Sequence, residues 1–195
     1  MNVVAKVAGP PEPPGQRVTA PAARAFARTV SRAAAPTGAA TATAFIGIGA
    51  NLGQAQATVL QAMQGIGALP HTTLLRCSSL YRTAPLDASG PDYVNAVVEI
   101  STTLDAHTLL AQLQALENKA GRARPYRNAP RTLDLDILLY DGGQAINTPT
   151  LVVPHPRMAQ RAFVLVPLAE IAPHQVSAGQ LQAVSGQGIA RIDTA

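Results

Sequence analysis

The chain has 195 residues, 47% of them apolar, and a formal net charge of +4; this length supports one good-sized core and is short for two full domains. A single cysteine, Cys77, excludes an internal disulfide framework and any zinc site built on several thiolates. The longest apolar stretches fall far short of a membrane span, so a cytoplasmic protein with no membrane partner is expected.

Residues 1–43 hold Lys6, Arg17, Arg24, Arg28 and Arg32 against Glu12 alone, which accounts for the whole net charge. Alanine, proline and arginine dominate there, with PPEPP at Pro10–Pro14, and no amphipathic period is sustained. A disordered extension is expected over 1–43 and a single domain over 44–195. Ala22–Ala35 is Arg-rich and acid-poor in the manner of a transit peptide, although a plain extension explains it as well. The remaining charges balance, so a broadly basic surface for nucleic acid is not expected.

From Ala44, AFIGIGANLG predicts a short buried strand running into a glycine turn, followed by a helix over Gln54–Gly67. Strands are predicted over Thr72–Thr83 and Asp92–Thr102. In the second, Tyr93, Asn95, Val97 and Glu99 alternate with Val94, Ala96, Val98 and Ile100. Asp105 is placed to cap a helix with Leu109, Leu110, Leu113 and Leu116 on one face, and Gly121 to stop it. A strand over Thr132–Tyr140 follows, and after Pro173 the pattern supports no more than a final strand and helix. The order strand, helix, strand, strand, helix, strand predicts an α+β fold of the ferredoxin-like, split βαβ kind, an antiparallel sheet with helices over one face.

The chemistry concentrates in GRARPYRNAPRTLDLDILLY. On a strand, Asp134 and Asp136 project together, and two carboxylates so close are costly unless a cation lies between them. Magnesium, which takes a few carboxylates plus phosphate oxygens, suits such a pair; a solvated strand edge paired with arginines is the alternative. Arg122, Arg124, Arg127 and Arg131 occupy the preceding loop, and guanidinium groups bind phosphate oxygens bidentately. A solvated basic loop would have the same composition. The chain has no GxxxxGK[ST] motif. The glycines of Gly47–Gly53 have the wrong spacing for a dinucleotide fingerprint, and no acidic residue follows about twenty positions on.

With FIGIGANLG, SSLYRTAPL, PDYVNAVVEI, PRTLDLDILLY and VPHPRM..RAFVL in this order, the chain from about Ala44 to Pro173 resembles the 6-hydroxymethyl-7,8-dihydropterin pyrophosphokinases of folate biosynthesis. That resemblance implies diphosphate transfer from ATP to a reduced pterin by a monomer, with two magnesium ions held by Asp134 and Asp136. Arg122 and Arg131 would surround the transferred group. Gln114, Glu117, Arg124, Arg127, Thr132, Ile137, His155 and Arg161 match ATP-binding positions. Thr83, Pro85, Leu86, Tyr93, Asn95 and Phe163 match pterin-binding ones, with Tyr93 and Phe163 sandwiching the ring. Without the resemblance, the two aromatics would read as core residues and His155 as a loop residue.

The family's frequent WGPR is here Asn128, Ala129, Pro130 and Arg131, so an indole lid is absent, and GSN becomes Gly49, Ala50 and Asn51. Thr150 and Val152 stand where some relatives place polar or basic nucleotide contacts. Two rival readings are another metal-dependent nucleotidyl- or phosphotransferase, which also uses paired aspartates, and an RNA-binding module. The RNA-binding reading lacks the aromatic run such modules stack bases on.

Overall fold

The computed structural model describes residues 40–85, 90–121 and 131–193. In chain order its elements are β1 (Ala42–Ala50), α1 (Ala55–Gly67), β2 (Thr72–Cys77), β3 (Tyr81–Thr83), β4 (Tyr93–Thr102), α2 (Ala106–Lys119) and β5 (Asp134–Tyr140). They continue with β6 (Ile146–Asn147), β7 (Val152–Val153), α3 (Ala162–Ile171), α4 (Ala178–Ala183) and β8 (Ile189–Arg191). The main sheet runs β5-β1-β4-β3-β8, with β2 also paired to β4, and β6 with β7 forms a separate ribbon. Every one of these pairings is antiparallel.

Period-two geometry sorts the central strands into two buried faces. Ile46 and Ile48 of β1, Val98 and Ile100 of β4 and Leu135 and Ile137 of β5 join Val59 and Ile66 of α1 and Leu109 and Leu113 of α2 in one core. Asp105 caps α2 by accepting the amide N–H groups of His107 and Thr108 at 3.0 Å each, and Gly121 follows the helix at φ +82°.

The expectation that helices cover one face needs correction. On the opposite face Phe45, Val97, Leu138 and Leu139 pack against Val164, Leu165 and Leu168 of α3, so the sheet lies between helices on both sides. The AFVLVPLAEI segment is apolar nearly all round, which is what a helix in a covered layer requires and why it shows no amphipathic period.

Three further boundaries differ from the sequence reading. The strand expected over 72–83 divides because Cys77 pairs with Val98 whereas Tyr81 pairs with Asn95, four steps against three along β4. Ser78 covers the irregularity, its amide donating to the Val97 carbonyl and its hydroxyl accepting from the Val97 amide, each at 2.9 Å. β1 begins at Ala42 and continues to Ala50, so Gly47 and Gly49 lie within the strand rather than in a turn. β5 begins at Asp134 instead of Thr132. The C-terminal elements are a helix, then a strand, and β8 extends the sheet by pairing with β3.

The C-terminal end of α3 is fixed to the β2–β3 edge. Glu170 accepts from the Ser79 amide at 2.9 Å, the Ser79 hydroxyl at 2.7 Å and the Tyr81 hydroxyl at 2.9 Å. Arg76 donates to the Ile171 carbonyl and pairs with Glu99 at 2.9 Å, a cation suited to a helix C-terminus. Anchored there, α3 directs its N-terminus over the end of the sheet where β1 finishes and β4 and β5 start.

Candidate active site

That end of the α3 face is a cleft of about 320 Å³. Its floor follows from register: Gly49 lies between Asp134 of β5 and Asn95 of β4, and in the next row Gly47 lies between Asp136 and Val97. A Cβ on Gly49 would meet the Asn95 Oδ1 at 3.3 Å, and one on Gly47 would meet the Leu138 side chain at 3.3 Å. The two glycines thus keep open a trough with carboxylates along one side and Asn95 and Tyr93 along the other. Glycine inside a strand weakens it and marks close approach, which is the sequence signal in IGIGA that the glycine-turn reading overlooked.

On the carboxylate side, Arg131 forms an ion pair with Asp134, and His155 Nε2 lies 4.0 Å from Asp136. A bulge at Leu138, where β1 steps one residue from Phe45 to Ile46 while β5 steps two, frees a carbonyl. The His155 amide donates to that carbonyl at 2.9 Å, which brings His155 beside the strand. Glu117, buried on α2, accepts the Leu135 amide at 3.0 Å and fixes the start of β5 between its two aspartates.

Burial in the cleft, and next the Asp134 carboxylate, push the Asp136 pKa above its ordinary value. Burial lowers that of His155, with Asp136 acting in the opposite sense. Burial and the neighbouring Arg157 lower that of Arg161. For Arg131, burial works downward, but the Asp134 and Asp136 carboxylates outweigh it and hold the guanidinium above its usual range. An anionic pair ringed by Arg131, Arg157, Arg161 and His155 is arranged to hold a cation together with a polyanion. Among the described residues no cluster of three or more His, Cys, Asp or Glu could hold a metal. A cation beside Asp134 and Asp136 therefore needs oxygens from a ligand or water, which fits magnesium's preference.

On the opposite side, Asn95 is buried and its Nδ2 donates to the Thr83 hydroxyl at 2.9 Å. Tyr93 and Phe163 both line the cleft. The Arg161 guanidinium carbon sits 5.1 Å from the centre of the Phe163 ring.

Of the sequence-predicted residues, the cleft brings together Thr83, Tyr93, Asn95, Arg131, Asp134, Asp136, His155, Arg161 and Phe163. Thr132 and Pro85 are each half-buried beside lining residues. Ile137 faces the α1–α2 core, Glu117 is tied to the Leu135 amide, and Gln114 is exposed on α2, so none of these three lines the cleft. The expectations for Leu86, Arg122, Arg124 and Arg127, and for residues 1–39, fall outside the described residues.

Two contributors were missed in the sequence. Arg157 lines the cleft, its only signal being a basic residue after VPHP. Asn51 is buried at the end of β1, its Nδ2 donating to the Pro91 carbonyl at 3.1 Å and its Oδ1 accepting the Arg131 amide at 2.8 Å. Its own amide donates to the Arg131 carbonyl at 3.0 Å. One side chain thereby ties together the segments that lead into both walls of the cleft.

Comparison with known proteins decides what this cleft belongs to. The sequence model of the 7,8-dihydro-6-hydroxymethylpterin-pyrophosphokinase family matches residues 45–173. The chain belongs to that family. It is 47% identical over 131 residues to the 2-amino-4-hydroxy-6-hydroxymethyldihydropteridine pyrophosphokinase of Haemophilus influenzae, covering 67% of this chain and 81% of that one. With the pyrophosphokinase of the same name from Methylorubrum extorquens it shares 38% over 156 residues, covering 77% and 98%. Among solved structures, an HPPK-DHPS in complex with substrates is similar with a TM-score of 0.53 at 13% identity, covering 72% of this chain and 42% of that one. A Plasmodium falciparum HPPK-DHPS triple mutant with STZ-DHP is similar with a TM-score of 0.55 at 12% identity, covering 74% and 42%. These two likenesses concern the fold, and the pyrophosphokinase chain spans about two fifths of each of those longer proteins.

Proposed function

We propose that the cleft transfers the terminal diphosphate of ATP to 6-hydroxymethyl-7,8-dihydropterin, giving AMP and the pterin diphosphate used in folate biosynthesis. Membership of the pyrophosphokinase family supports this. The observation that carries it is the juxtaposition across a glycine-floored trough of the Asp134–Asp136 pair, ringed by arginines, with the Tyr93–Asn95 wall.

The pterin lies between Tyr93 and Phe163, with Asn95 hydrogen-bonding its polar edge and Thr83 beside it; by the family resemblance Pro85 and Leu86 also serve the pterin. The triphosphate lies over Asp134 and Asp136 among Arg131, His155 and Arg161; by the family resemblance Arg122 acts on the transferred group, and Arg124, Arg127, Gln114, Glu117, Thr132 and Ile137 serve ATP binding. Asp134 and Asp136 would hold two magnesium ions, which would supply neutralisation of the phosphate charge. The pterin hydroxymethyl oxygen attacks the β-phosphorus in line. The bond from that phosphorus to the α-phosphate bridging oxygen breaks, AMP departs, and the hydroxyl proton is released. Catalysis rests on positioning and on guanidinium groups that meet the charge moving onto the leaving oxygen.

The strand order fits a ferredoxin-like, split βαβ sheet, with β2 and β3 together filling the position beside β4 and β8 added beyond β3. A single catalytic domain over 44–195 is supported by β8, which completes from the C-terminal side the sheet that β1 begins. The same reading takes ATP and a reduced pterin as the partners of a monomer, with no nucleic acid bound. A cytoplasmic setting belongs to the same reading; among the described residues no helix is long and apolar enough to cross a membrane. Nucleotide analysis after incubation with ATP, magnesium and the pterin tests the reading. AMP formed only when the pterin is present supports it; ADP, or pyrophosphate with a nucleotidylated pterin, overturns it.

A further inference from the structure

We infer that Gln187, in the C-terminal segment beyond the family-matched residues, is a positioning residue of the cleft that holds Arg161 and Phe163 in place through the backbone between Gln160 and Ala162. α3 starts without a cap of its own, because Arg161 stands at its N-cap in extended conformation with no side-chain capping bond, and a guanidinium has no acceptor to offer. Gln187 supplies that acceptor from another part of the chain. Its Oε1 takes the Ala162 amide hydrogen at 2.9 Å, while its Nε2 donates to the Gln160 carbonyl at 2.9 Å. The carboxamide thus grips both sides of Arg161, and Ala162, the residue held, separates the two cleft side chains Arg161 and Phe163.

The segment carrying Gln187 is itself anchored. α4 begins with a capping box between Ser177 and Gln180. Val184 is buried against the α3 core, and the Gln187 amide donates to its carbonyl at 3.0 Å. β8 then pairs with β3, placing Ile189 opposite Thr83, the hydroxyl partner of Asn95. One stretch of chain therefore braces the α3 side of the cleft by the carboxamide and the Thr83 side by strand pairing. This deepens the diphosphate-transfer reading of the same cleft and rests on it.

Steady-state kinetics of the full chain, at a temperature where every variant is folded, tests the inference. Gln187→Leu lacks both hydrogen bonds, and kcat/KM should fall by about five- to tenfold. Gln187→Glu keeps an acceptor for the Ala162 amide but loses the donor to the Gln160 carbonyl, and should fall between wild type and the leucine variant. In an Arg161→Ala background Gln187→Leu should have a smaller further effect, the part that acts through Phe163 alone. If Gln187→Leu lowers the melting temperature yet leaves kcat/KM within about twofold, or costs the same factor with Arg161 absent, the residue is structural only and the inference fails. Should the leucine variant not fold, Gln187→Ser at this half-exposed position gives the same comparison. Wild-type turnover to AMP in the same series separates this inference from the function it rests on, since a wild type that makes no AMP refutes the function instead.

Discussion

Replacing Gly49 by alanine isolates the trough's shape from its charges. The new methyl would sit 3.3 Å from the Asn95 Oδ1 and 3.9 Å from a Tyr93 ring carbon. The first contact is too tight to keep, so the Asn95 amide must turn or shift by a few tenths of an ångström. Asn95 is buried and its Nδ2 stays bonded to Thr83 at 2.9 Å, so the displaced atom is Oδ1, and the contact weakened is the one it offers the pterin, a cost of about 1–3 kcal/mol in binding. Because about 1.4 kcal/mol is a factor of ten, the KM for the pterin should rise roughly 5- to 150-fold, with a much smaller change in the KM for ATP. Gly49 has no positive φ, so alanine fits the backbone and reduces the freedom of the unfolded chain. The melting temperature should therefore hold or rise slightly. Initial rates with each substrate varied in turn, together with a thermal melt, make the measurement. An unchanged pterin KM, or a fall in melting temperature of several degrees, would refute the trough geometry.

Asp136→Asn should reduce turnover by about 100-fold or more, with a melting temperature no lower than wild type, because burial and Asp134 already disfavour the charge it removes; magnesium-dependent turnover near the wild-type rate would remove the metal assignment. Asn51→Ala unties the Pro91 and Arg131 segments and leaves buried backbone groups unpaired, a stability loss of about 2–3 kcal/mol. Urea denaturation measures that loss, and kinetics should show kcat/KM impaired for both substrates at once. For Tyr81→Phe, the lost bond to Glu170 should cost about 1–2 kcal/mol at neutral pH. Burial first, and then Glu170, raise the Tyr81 pKa to about 12, against about 10 for an unfolded tyrosine. The hydroxyl's contribution is thus complete below pH about 10 and disappears as pH rises toward about 12. Paired urea curves across that window should converge; a difference that stays constant would mean the hydroxyl does not titrate as described.

Local pattern carried the central strands and the first two helices, because each is written in neighbouring residues. Alternation over Tyr93–Ile100, the Asp105 cap and the leucine face of α2 each reflect a period that burial imposes. The Asp134–Asp136 pairing was legible for the same reason, since period two alone puts both on one face. α3 was not legible as the second cover of the sheet: a helix buried nearly all round has no polar face to betray its period. The glycine floor is not legible because AFIGIGANLG reads as a strand running into a turn without saying where the strand ends, whereas the spacing of two between Gly47 and Gly49 belongs to a strand with one face kept clear. Asn51 and Gln187 were beyond reach from sequence, since each is defined by partners far along the chain that only the fold brings within 3.1 Å.

The most direct test of the account follows the β-phosphorus of ATP. Turnover with ATP labelled at that atom, in the presence of magnesium and 6-hydroxymethyl-7,8-dihydropterin, should place the label in the pterin product and leave the nucleotide as unlabelled AMP. Label retained in ADP, or released as free pyrophosphate, would contradict diphosphate transfer at this cleft.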